Sequence, residues 1–137
     1  MKRDLSFYRD YPHPPERVWQ ALTDPQALAE WLMENDFKPI VGHKFQFRTK
    51  PGPGFDGVTS CEVIDVDPPK RLAYTFTGGG IDTVVRYHLE KTTTGTRLQV
   101  EHTGFQGIRA ILISFLLQRG WRTMFEQKLP ITLHRLT

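Results

Sequence analysis

From Leu5 to Tyr11 apolar residues alternate with polar ones, with Leu5, Phe7 and Tyr11 on one side and Ser6, Tyr8 and Asp10 on the other. This period of two predicts a half-buried first strand. His13-Pro14-Pro15-Glu16 then offers a helix start, with Val18, Trp19 and Leu22 forming the apolar face behind it. Thr23-Asp24-Pro25 stops that helix and opens another. Asp24 suits an N-cap and Pro25 a first helical position, so Gln26 to Leu32 is expected to be a second short helix with Leu28, Trp31 and Leu32 inward.

After Asn35 to Pro39 the period returns to two. Phe45 and Phe47 alternate with Lys44, Gln46 and Arg48, and Lys50-Pro51-Gly52-Pro53-Gly54 reads as a loop. Val58 to Val66 is expected to be a strand, followed by a turn at Asp67-Pro68-Pro69-Lys70 and a strand carrying Leu72, Tyr74 and Phe76. Gly78-Gly79-Gly80 makes the next turn. Asp82 to Lys91 sets Val85, Tyr87 and Leu89 against Arg86, His88 and Glu90, and Thr93-Thr94-Gly95 closes a hairpin. Arg97 to Thr103 sets Leu98, Val100 and His102 against Gln99 and Glu101. Antiparallel strands with one apolar face need a cover.

The last third, Gly104 to Thr137, supplies it. Trp121, Phe125, Leu129 and Leu133 recur four apart, with Met124 and Leu136 on the same side, as a long amphipathic helix requires. Pro130 falls inside it and removes the backbone bond to the Glu126 carbonyl, so a kink is expected from Glu126 to Pro130, at about 3 kcal/mol unless the bend is used. Ahead of it, past a break at Arg119-Gly120-Trp121, Ile108 to Leu117 is apolar around most of the helix. That run reads as a segment buried on both sides, a cavity lid, a dimer contact or a membrane-touching patch. A lid or homodimer contact ranks ahead of membrane docking, because only Arg109 and Arg119 flank the run.

Composition narrows the class without naming a function. A chain of 137 residues fits one domain, 1–137, and needs no metal or disulfide staple. A net charge of +3, from scattered basic residues, gives no footprint for nucleic acid. The sole cysteine, Cys61, cannot form an internal disulfide, and Met1-Lys2-Arg3-Asp4 leads into a strand without a signal-like apolar stretch, so a cytoplasmic location is expected. The apolar run is too short for stable membrane insertion.

Candidate chemistry is sparse. Gly52-Pro53-Gly54-Phe55-Asp56-Gly57 matches the dinucleotide pattern G-x-G-x-x-G but joins two strands, and a proline removes one of its donors, so a hairpin loop is expected. His13, His43, His88, His102 and His134 never fall in a metal-binding spacing. No metal and no cofactor is expected. His102 shares the inward side with Leu98 and Val100, and reads either as an interior histidine hydrogen-bonded to backbone or as a polar anchor or acid/base for a ligand.

Several motifs, taken in order, resemble a known family. They are Pro14 to Pro25 with its Val18-Trp19 and Ala21-Leu22-Thr23-Asp24, then Trp31, then Asp67-Pro68-Pro69-Lys70-Arg71-Leu72. Gly95-Thr96-Arg97-Leu98, His102-Thr103-Gly104-Phe105 and Gly120-Trp121 complete the set. The ordered set resembles the activator of heat shock protein 90 ATPase (AHSA)-type branch of the START-like (SRPBCC) superfamily. The resemblance implies an α+β helix-grip fold: a curved antiparallel sheet wrapped around a long C-terminal helix, with two short helices after the first strand.

It also implies a cavity between helix and sheet for a hydrophobic small molecule or lipid, and the first reading of such a cavity here is binding without catalysis. Candidate lining residues are Phe45, Phe47, Tyr74, Phe76, Tyr87, Val100, His102, Phe115, Trp121 and Phe125. His102 and the hydroxyls of Tyr74 or Tyr87 would orient the ligand. Two other readings share this fold: a chaperone-activating interaction domain, and an enzyme acting on an aromatic or polyketide-like substrate through His102.

Overall fold

The computed structural model describes residues 1–137. β1 (Lys2–Tyr11) is followed by α1 (Pro15–Thr23) and α2 (Pro25–Trp31), then by β2 (Glu34–Asn35) and β3 (Lys44–Arg48). The Asp24 carboxylate caps α2 by accepting from the Ala27 N–H at 3.1 Å, as the Asp-Pro pair predicts. β4 (Val58–Asp67), β5 (Arg71–Gly78), β6 (Ile81–Lys91) and β7 (Thr96–Gln106) complete a seven-stranded antiparallel sheet ordered β1-β7-β6-β5-β4-β3-β2. The two-residue β2 escapes sequence patterning because so short a strand has no period. The Gly52–Gly57 loop joins β3 to β4 and carries no helix, which rules out a dinucleotide cradle.

The sheet curls over one side and buries the alternating residues: Phe45 and Phe47, Cys61 and Val63, Leu72, Tyr74 and Phe76, Val85 and Tyr87, Leu98 and Val100. β7 extends beyond the expected Thr103 to Gln106, so Gly104 to Gln106 belongs to the sheet. Between Arg3 paired with Phe105 and Leu5 paired with His102, β7 carries one residue more than β1, a bulge at Gly104 where φ is +98°. The Asp4 carboxylate accepts from the Gly104 N–H at 2.9 Å and holds the bulge. Its consequence is that His102 and Phe105, three apart, both turn inward with ring centroids 4.7 Å apart.

One continuous helical segment crosses the concave side: α3 (Ile108–Thr123), a π-helical turn (Met124–Lys128) and α4 (Leu129–Arg135). No break occurs at Arg119-Gly120-Trp121; Gly120 sits inside α3, because its neighbours complete the helical hydrogen bonds around it. Where a kink is expected, the helix widens. In regular α geometry the Pro130 ring would clash with the Glu126 carbonyl, and here the Leu129 N–H bonds the Met124 carbonyl, five residues back. Phe125 O is thereby orphaned, since Pro130 has no N–H to offer, and the Tyr11 hydroxyl donates to it at 2.7 Å. A strand residue thus completes the helix that covers it.

The expectation that Ile108 to Leu117 is buried on both sides does not hold. Ala110 and Ser114 form the buried seam of α3, whereas Ile108, Leu112, Phe115 and Leu116 are 55–68% exposed. Small residues let the helix approach the sheet closely, which leaves the large ones outside. α1, α2 and α4 close the other end of the sheet, where the Trp31 indole donates to the Ala21 carbonyl at 2.8 Å and its ring meets Phe125 edge-on.

Candidate functional site

β7 delivers His102 to the middle of the interior, beneath α3. The Trp121 indole N–H donates to His102 Nδ1 at 3.1 Å, which makes Nδ1 the acceptor and leaves the ring proton on Nε2. Nε2 lies 2.7 Å from the Thr83 hydroxyl, and that hydroxyl donates to the Phe76 carbonyl at 2.8 Å. Trp121, His102, Thr83 and Phe76 thus form a directed relay with both ring nitrogens occupied. Burial lowers the His102 pKa to about 3, so the ring is neutral. His102 is thus an interior histidine, and its partners are the side chains of Trp121 and Thr83 instead of the expected backbone.

The tyrosines also satisfy each other. Tyr74 and Tyr87 hydroxyls lie 2.7 Å apart in full burial, which raises both pKa values and keeps both phenols neutral. Phe45, Phe47, Tyr74, Tyr87, Trp121 and Phe125 then follow one another in ring contacts of 5.2–6.1 Å, mostly edge to face. Such pairs contribute roughly 0.5–1.5 kcal/mol each beyond area burial. Of the expected lining residues, Phe45, Phe47, Tyr74, Tyr87 and Phe125 are packed core. Phe115 points outward instead of lining the interior, with the Arg3 guanidinium 3.8 Å from its ring centroid, because Ser114 takes the inward position beside it.

Openings remain along both flanks of α3. On the β1 side a cavity of about 240 Å³ has Val100, His102 and Trp121 at its floor and Arg3, Ser6, Gln118 and Arg122 at its rim. This rim is polar and already engaged, since Arg3 donates to Ser114 Oγ and to Gln118 Oε1. On the other flank a cavity of about 380 Å³ lies between α3 and two turns, the β3–β4 loop and the β5–β6 turn. Phe55, Phe76, Ile81, Leu112, Ile113 and Leu116 give it apolar walls. Phe76 is the one expected lining residue found here, and its ring also packs on His102 at 5.0 Å.

The other walls were not anticipated. Phe55 sits in a Gly/Pro-rich loop, and its presence there was the available signal: an aromatic residue in a turn needs something to rest on. Its ring covers Gly79, where a Cβ would come within 2.9 Å. Leu112, Ile113 and Leu116 belong to the apolar run, but spacing alone does not tell which of its faces meets the turns.

Residues 12–133 match the family described as activator of Hsp90 ATPase homolog 1-like protein. Among solved structures, the Mesorhizobium loti protein MLL2253 is 40% identical over 97% of this chain and 98% of that one, with a TM-score of 0.88. The Bacillus halodurans protein BH1534 is 26% identical over 96% of both chains, with a TM-score of 0.80. DynU16, a protein in the dynemicin biosynthetic locus, shares the fold at 24% identity and a TM-score of 0.71, over 96% of this chain and 46% of its own. No curated protein matches the sequence. No helix is long and apolar enough to cross a membrane. Helix over curved sheet, two short helices after the first strand and the family match along nearly the whole chain agree: the protein belongs to the activator of Hsp90 ATPase homolog 1-like family, the AHSA-type branch of the START-like superfamily.

Proposed function

We propose that this protein binds a small hydrophobic molecule, without catalysis, in the cavity between α3 and the β3–β4 and β5–β6 turns. The observation that carries this reading is the wall of Phe55, Phe76, Ile81, Leu112, Ile113 and Leu116 around about 380 Å³, open to solvent beside exposed leucines. Burial of a ligand's apolar surface there would supply affinity at roughly 25 cal/mol per Å² before the costs of association. The packing of the deeper rings against each other supports a ligand position at the mouth of the fold. A non-catalytic role is favoured because His102 is neutral and both of its nitrogens have partners, so the one interior histidine is not free to act as a base.

Native mass spectrometry of the purified protein against fatty acids, sterols and small aromatic compounds tests the proposal. A saturable complex is expected, weakened by Leu116→Glu, which puts a charge into the wall at a position 68% exposed and therefore tolerant in the fold. Ile131→Glu, similarly exposed on α4 but remote from the wall, is expected to bind normally. Absence of any complex, or equal binding by Leu116→Glu, would refute the reading.

A further inference from the structure

The cavity wall contains one cation, Arg109, and its placement is specific. Its guanidinium runs between the two turns: Nη2 donates to the Gly54 carbonyl at 3.2 Å, and a Cβ on Gly54 or Gly80 would lie 2.6 Å from Nη2 or Nε. Both glycines have positive φ, at +70° and +95°, and their bare backbones admit the guanidinium. Arg71, Arg97 and Arg135 each hold a carboxylate, and Arg3 and Arg122 lie over rings. Arg109 has neither: its single protein hydrogen bond uses one of five N–H donors.

The acids nearest in sequence to the two turns, Asp56 and Asp82, do not pair with Arg109. Asp56 accepts from the Val58 N–H and Asp82 from the Thr77 hydroxyl. From Gly107 through Phe125 the helix carries Arg109, Arg119 and Arg122 and no acidic residue. An oriented guanidinium without a counter-charge therefore stands at the rim of an apolar cavity.

We propose that the ligand is an amphipathic anion, with its chain or ring system against Phe76, Ile113 and Leu116 and its carboxylate, or a similar oxyanion, on Arg109. This rests on the apolar cavity being the binding site and adds the ligand's charge. Guanidinium and carboxylate form charge-assisted, bidentate-capable hydrogen bonds, stronger than those between neutral groups.

Calorimetric titration with decanoate and decanol at neutral pH separates the two ideas, because the probes share a chain length and differ in charge. Decanoate is expected to bind about tenfold more tightly. Arg109→Gln is expected to weaken decanoate about tenfold and decanol much less, so that the preference is lost, and Arg109→Lys to keep part of it. Thermal melting checks that both variants fold. Equal binding of the two probes by the unaltered protein overturns the anion proposal and leaves the cavity reading intact. So does an Arg109→Gln variant that weakens both equally, which would make Arg109 only a part of the rim. Binding of neither probe overturns both.

Discussion

Replacing Tyr11 by Phe removes one oxygen and tests how the helix is completed. Tyr11 is 3% exposed, Phe125 is fully buried, and the hydroxyl supplies the bond that the Phe125 carbonyl loses because residue 130 is proline. An unsatisfied buried carbonyl costs roughly 1–3 kcal/mol. Tyr11→Phe is therefore expected to lower stability by that amount, read as a shift in the midpoint of urea unfolding followed by tryptophan fluorescence. Pro130→Ala is the diagnostic background, because it restores a backbone N–H at that position. If the π turn persists, the restored N–H reaches the Phe125 carbonyl; if the turn reverts to α geometry, the Leu129 N–H does. Either way the carbonyl gains a donor, and Tyr11→Phe should then cost less than about 1 kcal/mol. Equal losses in the two backgrounds would refute the assignment of the tyrosine as a substitute for the missing helical bond, and a loss under about 0.5 kcal/mol in the native background would show that the carbonyl needs no such donor.

The buried histidine predicts a pH effect of definite sign. Folding holds the His102 pKa at about 3, below the ~6.5 of an unfolded histidine, so its contribution is complete above pH ~6.5 and falls as the pH drops toward 3. The limiting slope is about 1.4 kcal/mol per pH unit, or about 2 kcal/mol between pH ~6.5 and ~5. His13, also lowered, adds slope in the same direction, so the measurement is the difference between native protein and His102→Gln; parallel stability curves would contradict the neutral relay. For the tyrosine pair, Tyr74→Phe alone leaves the Tyr87 hydroxyl unpartnered and is expected to cost roughly 1–3 kcal/mol, whereas Tyr74→Phe with Tyr87→Phe should cost clearly less than the sum of the single changes. Strict additivity in the unfolding free energies would show that the two hydroxyls do not depend on each other.

Local pattern determined the element list. Alternation at Phe45/Phe47, Leu72/Tyr74/Phe76 and Leu98/Val100 is enforced by the pleat, Asp24-Pro25 by the orphan donors of a helix start, and the Gly/Pro loops by backbone sterics; each acts within a few residues and is legible in one dimension. The ordered motifs added the grip of helix on sheet. Site geometry was another matter. The bulge at Gly104 turned Phe105 inward against the alternation, and strand register, set between β6 and β7, brought Thr83 to His102. Hydrophobicity marked Ile108 to Leu117 as needing cover but did not say which members would find it. Tertiary packing decided that Ala110 and Ser114 meet the sheet, that Phe115 lies under Arg3, and that Leu112, Ile113 and Leu116 face the turns. The physical reason is that a residue's period reports only the face it shares with its chain neighbours. What stands opposite that face, core or cavity, depends on backbone separations set by small residues, bulges and one proline far away in sequence.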